Sequence, residues 1–190
     1  MMALVRRSGL LLLLLTACPA SAQEPEPFTI EHAGFTLDQG MLRLDLVVES
    51  RIPKYILLAI DRGFAVPLMF EVEIRSPRNW WFDPKIISLK QQYLLHHQPM
   101  LDAYVVIDMN SRERHYFGAR NDAVQFVEVV YNYPMLDINN LMPDKKYYAR
   151  ARFGIDTDEL PQPLKSSSLW DNNWNLRSDW YEWEVERDDL

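Results

Sequence analysis

The chain has 190 residues, of which 48% are hydrophobic and 25% charged, and 27 Asp and Glu against 20 Lys and Arg give a formal charge of −7. That acidic balance, with no dense Lys/Arg run, argues against nucleic-acid binding, which needs clustered cations along the phosphate backbone. A single cysteine rules out a disulfide framework.

The first 22 residues read as a secretory signal. Arg6 and Arg7 form a positive start, Leu10 to Leu15 an unbroken apolar run, and Ala20-Ser21-Ala22 the small residues a signal peptidase needs. The apolar run is far short of the roughly 20 residues that cross a bilayer. Two processings fit. Leu15-Thr16-Ala17-Cys18 matches a lipobox, which would lipidate Cys18, and cleavage after Ala22 would release a soluble protein; the reading leans to release. Both place the folded part in the periplasm. Residues 23–27, "QEPEP", form a Pro- and Glu-rich leader. Residues 28–186 are then expected to make one domain.

Within it, Phe28 to Leu37 reads as extended, and Asp38-Gln39-Gly40 as a turn. Leu42, Leu44, Leu46 and Val48 recur at period two, which makes a half-buried strand and a hairpin with the first. Ile52 to Arg62 changes period: Tyr55, Ile56, Ala59 and Ile60 share a helical face, Pro53 suits a helix start and Gly63 its end. Val66 to Arg75 alternates again, with Leu68, Phe70, Val72 and Ile74 against Glu71, Glu73 and Arg75. Lys85 to Leu95, Leu101 to Met109 and Arg112 to Phe117 read as strands, the last two as a hairpin. Asn121 is the expected N-cap of a second helix bearing Ala123, Phe126, Val127 and Val130 and ending before Pro134. Tyr147 to Ile155 is a strand, "LPQPL" (Leu160 to Leu164) an extended segment, and Ser178 to Glu186 the last strand. Amphipathic strands without regular βαβ alternation predict an antiparallel, immunoglobulin-like β-sandwich with two short helices.

Several of these segments together resemble the bacterial family called domain of unknown function 4390. They are the helix ending at Gly63 before "VPLMFEVEI"; Arg75-x-x-Arg78-x-Trp80-Trp81 with Asp83 behind; Tyr104 after Leu94-Leu95; "YYARARFGID"; "LPQPL"; and "WNLRSDWYEW" (Trp174 to Trp183). The similarity runs from Phe28 to Trp183. The resemblance implies an exported proteobacterial protein whose gene often neighbours those of a nitrogen-regulation-type sensor kinase and a ribosomal RNA methyltransferase. It implies a partner, such as the sensor's ectodomain, and no catalytic residue or cofactor.

Four groups of side chains invite a functional reading. Trp170, Trp174, Trp180 and Trp183 crowd the C-terminus. Burying one indole removes on the order of 200 Å² from water, roughly 5 kcal/mol, so a disulfide-free domain favours them as core. Strand alternation makes Trp183 a core candidate and Trp180 not obviously one. The sharper reading is a partner or glycan platform of Trp170 and Trp174 with Trp80 and Trp81. Arg150 and Arg152 share one strand face and are either cross-strand ion-pair partners or an anion-recognising patch. His96 and His97 point to opposite faces of a strand, and no spacing of the four histidines resembles a zinc site, so no metal is expected. No Gly-x-Ser-x-Gly elbow, P-loop or dinucleotide fingerprint is present, so the expectation is a non-enzymatic interaction module without a cofactor. The competing expectation is an envelope glycan or peptide binder or hydrolase that uses His97 and His115 with nearby Asp and Trp residues.

Overall fold

The structure, a computed structural model, describes residues 26–77, 85–143, 145–166 and 174–185. The signal and lipobox with Cys18, most of the leader, and Trp80, Trp81, Asp83, Trp170 and Glu186 lie outside the described residues.

Period-two burial builds most of the molecule. β1 (Phe28–Asp38) and β2 (Met41–Ser50) are joined by Gln39 and Gly40, both at positive φ (50° and 81°), the geometry a two-residue hairpin turn requires. β2 buries Leu42, Leu44, Leu46 and Val48 and leaves the residues between them partly open. α1 (Lys54–Asp61) follows and buries Ile56, Ala59 and Ile60. Pro53 is its N-cap, and Gly63 at φ 85° ends it, donating its N–H to the Ile60 carbonyl at 2.9 Å. β3 (Val66–Arg75), β4 (Lys85–Gln98), β5 (Ala103–Asp108) and β6 (Arg114–Phe117) then form a meander, and α2 (Arg120–Glu128) leads into β7 (Val129–Asp137). β8 (Tyr147–Ile155), the short α3 (Gln162–Ser166) and β9 (Tyr181–Val185) complete the described chain.

Among the described residues the result is an antiparallel β-sandwich with three short α-helices. One sheet has the order β1-β2-β7, the other β6-β5-β4-β3-β8-β9. The small sheet covers the centre of the large one. Phe28 of β1 meets Phe153 of β8 edge-on at 5.2 Å, and Tyr133 of β7 meets Phe70 of β3 at 6.0 Å. Phe35 of β1 packs on Trp183 of β9 at 5.3 Å and closes one side. On the other side Phe126 of α2 covers Tyr93, His115 and Phe117.

Three expectations need correction. Val129–Asp137 is a strand, not a helix that runs through Val130 and ends before Pro134: β2 pairs with one side of its backbone, and two register shifts accommodate Asn132, at φ 56°, and Pro134. The N-cap of α2 is Ala119, so Asn121 lies inside the first turn together with Asp122 and does not cap the helix. Within "LPQPL", Gln162 to Leu164 begin α3, whose Leu164 is buried and whose N–H bonds to the Pro161 carbonyl at 2.9 Å.

Candidate functional site

The outer face of the large sheet carries the residues the sequence nominated for anion recognition. Odd positions of β3 and even positions of β8 point the same way, and the register sets Glu71 opposite Arg152, Glu73 opposite Arg150 and Arg75 opposite Tyr148. Arg152 Nε donates to Glu71 Oε2 at 2.5 Å. Glu73 Oε2 accepts from Arg75 Nε and Arg150 Nε, each at 2.8 Å, and Lys85 pairs with its other oxygen. Glu73 is only 5% exposed. Burial alone would push its carboxyl up, but the hydrogen bonds from Lys85, Arg75 and Arg150 outweigh that and hold it at about 2. The guanidinium carbons of Arg150 and Arg152 lie 4.1 and 4.4 Å from the Trp180 ring centroid, so one indole covers both. These arginines are therefore engaged within the fold, as cross-strand partners.

A second buried carboxylate continues this face. Asp156 is fully buried, and accepts from Lys90 Nζ at 2.6 Å and Gln92 Nε2 at 2.5 Å. Burial raises its carboxyl, and the contacts from Lys90, Gln92 and the Asp158 N–H more than reverse this, leaving it below the ordinary carboxylate range.

Trp174 is not a surface platform. It is 2% exposed and meets Tyr55 of α1 edge-on at 5.6 Å, so it plugs the core beneath the helix. The segment it begins crosses β8 closely. Ile155 N–H donates to the Leu176 carbonyl at 2.9 Å, and a Cβ on Gly154 would lie 2.5 Å from that oxygen. Trp183 is half-buried against Phe35 and Tyr181, and its buried Nε1 has no hydrogen-bond partner among the described residues. Its expected place at the core is met on one flank.

His97 and His115 lie on the inner face of the large sheet, two strands apart and with separate neighbours. The His97 ring packs on Tyr104 at 4.8 Å, its Nε2 3.6 Å from Asp102. The His115 ring packs on Phe126 at 4.4 Å, its Nε2 4.0 Å from Glu113. Among the described residues no three His, Cys, Asp or Glu side chains gather as a metal site. Beside His97 stands a cluster that the sequence did not reveal. Asp61, ending α1, accepts from the Tyr104 hydroxyl at 3.0 Å and from Nη1 of Arg120, which opens α2, at 2.6 Å. Burial first, then the Asp61 carboxylate, push the Tyr104 hydroxyl up. The members are 43 and 59 residues apart, so no local spacing could show the cluster; Tyr104, singled out in the family resemblance, was the available signal. The arrangement locks two helices to one strand at the end of the sandwich where β4 finishes and β5 begins.

The family model for the domain of unknown function DUF4390 matches residues 26–184. The chain belongs to the DUF4390 family. In this DUF4390 protein the match spans both sheets and all three helices. No curated protein and no solved structure matches the chain. No helix among the described residues is long and apolar enough to cross a membrane.

Proposed function

We propose that this DUF4390 protein is an exported, non-catalytic interaction module of the cell envelope that binds another envelope protein, with a sensor-kinase ectodomain as the first candidate. Export rests on the signal-like leader of residues 1–22. The choice of candidate rests on the gene neighbours that the family resemblance implies. The observation that carries an interaction role is on β7, which is an edge of the small sheet among the described residues. Tyr131 is 82% and Val129 46% exposed there, beside Val47 of β2. Large exposed aromatic and branched side chains on a rigid strand supply contact area at low entropic cost. Arg150 and Arg152, in contrast, already have internal partners.

The test is capture from an envelope extract, with Val129→Ser/Tyr131→Ser as the control bait, followed by direct binding to the sensor ectodomain. The expected result is a reproducible partner lost with the double variant. Failure to recover any partner, together with no ectodomain binding, would reject the reading. His97→Ala/His115→Ala separates the competing glycan-binder or hydrolase reading: that reading expects a lost phenotype at unchanged Tm, whereas the interaction reading expects partner capture to persist.

A further inference from the structure

We infer that the end of the sandwich crossed by α1 is a contact face for a phospholipid bilayer, with the β4–β5 turn as its apolar tip.

The strand directions define this end. β1, β3 and β5 begin there, and β2, β4, β6 and β8 finish there, as the registers Phe28↔Ser50, Val66↔Leu95, Leu68↔Ile155 and Tyr104↔Phe117 require. α1 crosses it with Ile56, Ala59 and Ile60 inward. Lys54, Leu58 and Arg62, four residues apart, lie on the opposite side and are exposed, Leu58 at 43%. Neither Lys54 nor Arg62 forms an ion pair among the described residues. The turn Pro99–Leu101 projects from the same end, with Met100 95% and Leu101 57% exposed. Its base is held firmly: Asp102 closes it at φ 47°, and Gly63 packs at the His97 carbonyl.

Two observations choose a bilayer as the occupant. First, the pairing of apolar tip and unpaired cations suits a membrane surface. Met100 and Leu101 can enter the acyl boundary while Lys54 and Arg62 meet lipid phosphates, which zwitterionic and anionic lipids both carry. The exposed acid on the tip is Asp102, Asp61 nearby is neutralised by Arg120, and the exposed Asp158 and Glu159 follow β8 at the same end of the sandwich, away from the tip in sequence. Second, the described chain starts at this end. Glu26 is exposed, and the Pro27 carbonyl accepts from Arg51 N–H at 2.7 Å just before α1. Cys18 is eight residues earlier, within about 28 Å of chain reach. If Cys18 were lipidated, this end would be the one held at the bilayer, adding to an insertion that the tip makes by itself.

The bilayer contact and the β7 surface use different side chains, so the two can fail separately. The experiment uses the full chain with Cys18→Ser and one new cysteine carrying an environment-sensitive fluorophore, at Leu101 or at Met109. Met109 is on the β5–β6 turn at the other end of β5, about 20 Å away. Phosphatidylcholine vesicles, with or without phosphatidylglycerol and with nitroxide-labelled lipid, are then added. The expected result is a blue shift and nitroxide quenching at 101 but not at 109, with stronger quenching on phosphatidylglycerol that K54E/R62E reverses. Met100→Asp, placed in the chain labelled at 101, should weaken the vesicle response on the order of tenfold, the effect of losing one buried apolar side chain. Equal responses at 101 and 109 would overturn the inference. So would a label at 101 that ignores vesicles and shifts only with envelope protein extract.

Discussion

Replacing Glu73 with Gln removes the carboxylate shared by Arg75, Lys85 and Arg150 while keeping its shape. The shift of the Glu73 carboxyl from 4.5 to about 2 corresponds to about 3 kcal/mol at 1.36 kcal/mol per pKa unit. The partner side chains are 17%, 50% and 21% exposed, so solvent screens the interaction, and about half of that figure, roughly 1.5–2 kcal/mol, is expected to survive. For a domain of this size that lowers Tm by about 5 °C at pH 7. The sign follows from linkage. A carboxyl depressed in the fold contributes stability that is fully present above its unfolded value and lost as pH falls through its folded value. The gap between wild type and E73Q should thus be constant from pH 7 down to about 4.5 and shrink towards pH 2. Urea unfolding of both proteins across this range measures it. Because Asp156 titrates in both proteins, the difference isolates Glu73. A gap that stays constant down to pH 2, or a Tm change under one degree at pH 7, would show that the cluster contributes no net charge stabilisation.

Gly154→Ala forces a Cβ to within 2.8 Å of the Arg177 Cα and 2.5 Å of the Leu176 carbonyl; the cost should be about 1–3 kcal/mol by chemical denaturation, with the segment from Leu176 to Ser178 more accessible to protease. Trp174→Ala, deleting a side chain 2% exposed under α1, should cost about 3–5 kcal/mol, and a variant melting like wild type would remove Trp174 from the core. Trp180→Ala uncovers Arg150 and Arg152 and should cost about 1 kcal/mol, whereas Trp180→Phe should recover part of it; equal losses for both would mean that ring stacking contributes nothing.

The family and the β-sandwich were both legible from local pattern. Tyr147–Ile155 matches its expected bounds, Leu42 to Val48 bury alternate residues, and Gly63 ends α1 at positive φ. The segment after α2 misled because Val130 continues the helical spacing of Ala123, Phe126 and Val127 and Pro134 reads as a stop, yet pairing with β2 makes it a bulged edge strand. The arginines show the same division. Alternation alone put Arg150 and Arg152 on one face, and Glu71 and Glu73 on one face of another strand. Their pairing was invisible until β3 and β8 came together.

What the sequence by itself determined is therefore the set of strand faces, since which side chains share a face depends on the two-residue repeat of a strand and needs no partner. Tertiary structure decided the register between strands 77 and 81 residues apart, the small sheet's third strand and the Asp61–Tyr104–Arg120 lock. Those depend on which backbone finds which, a choice set by cooperative burial of the whole core and not by any single stretch of chain.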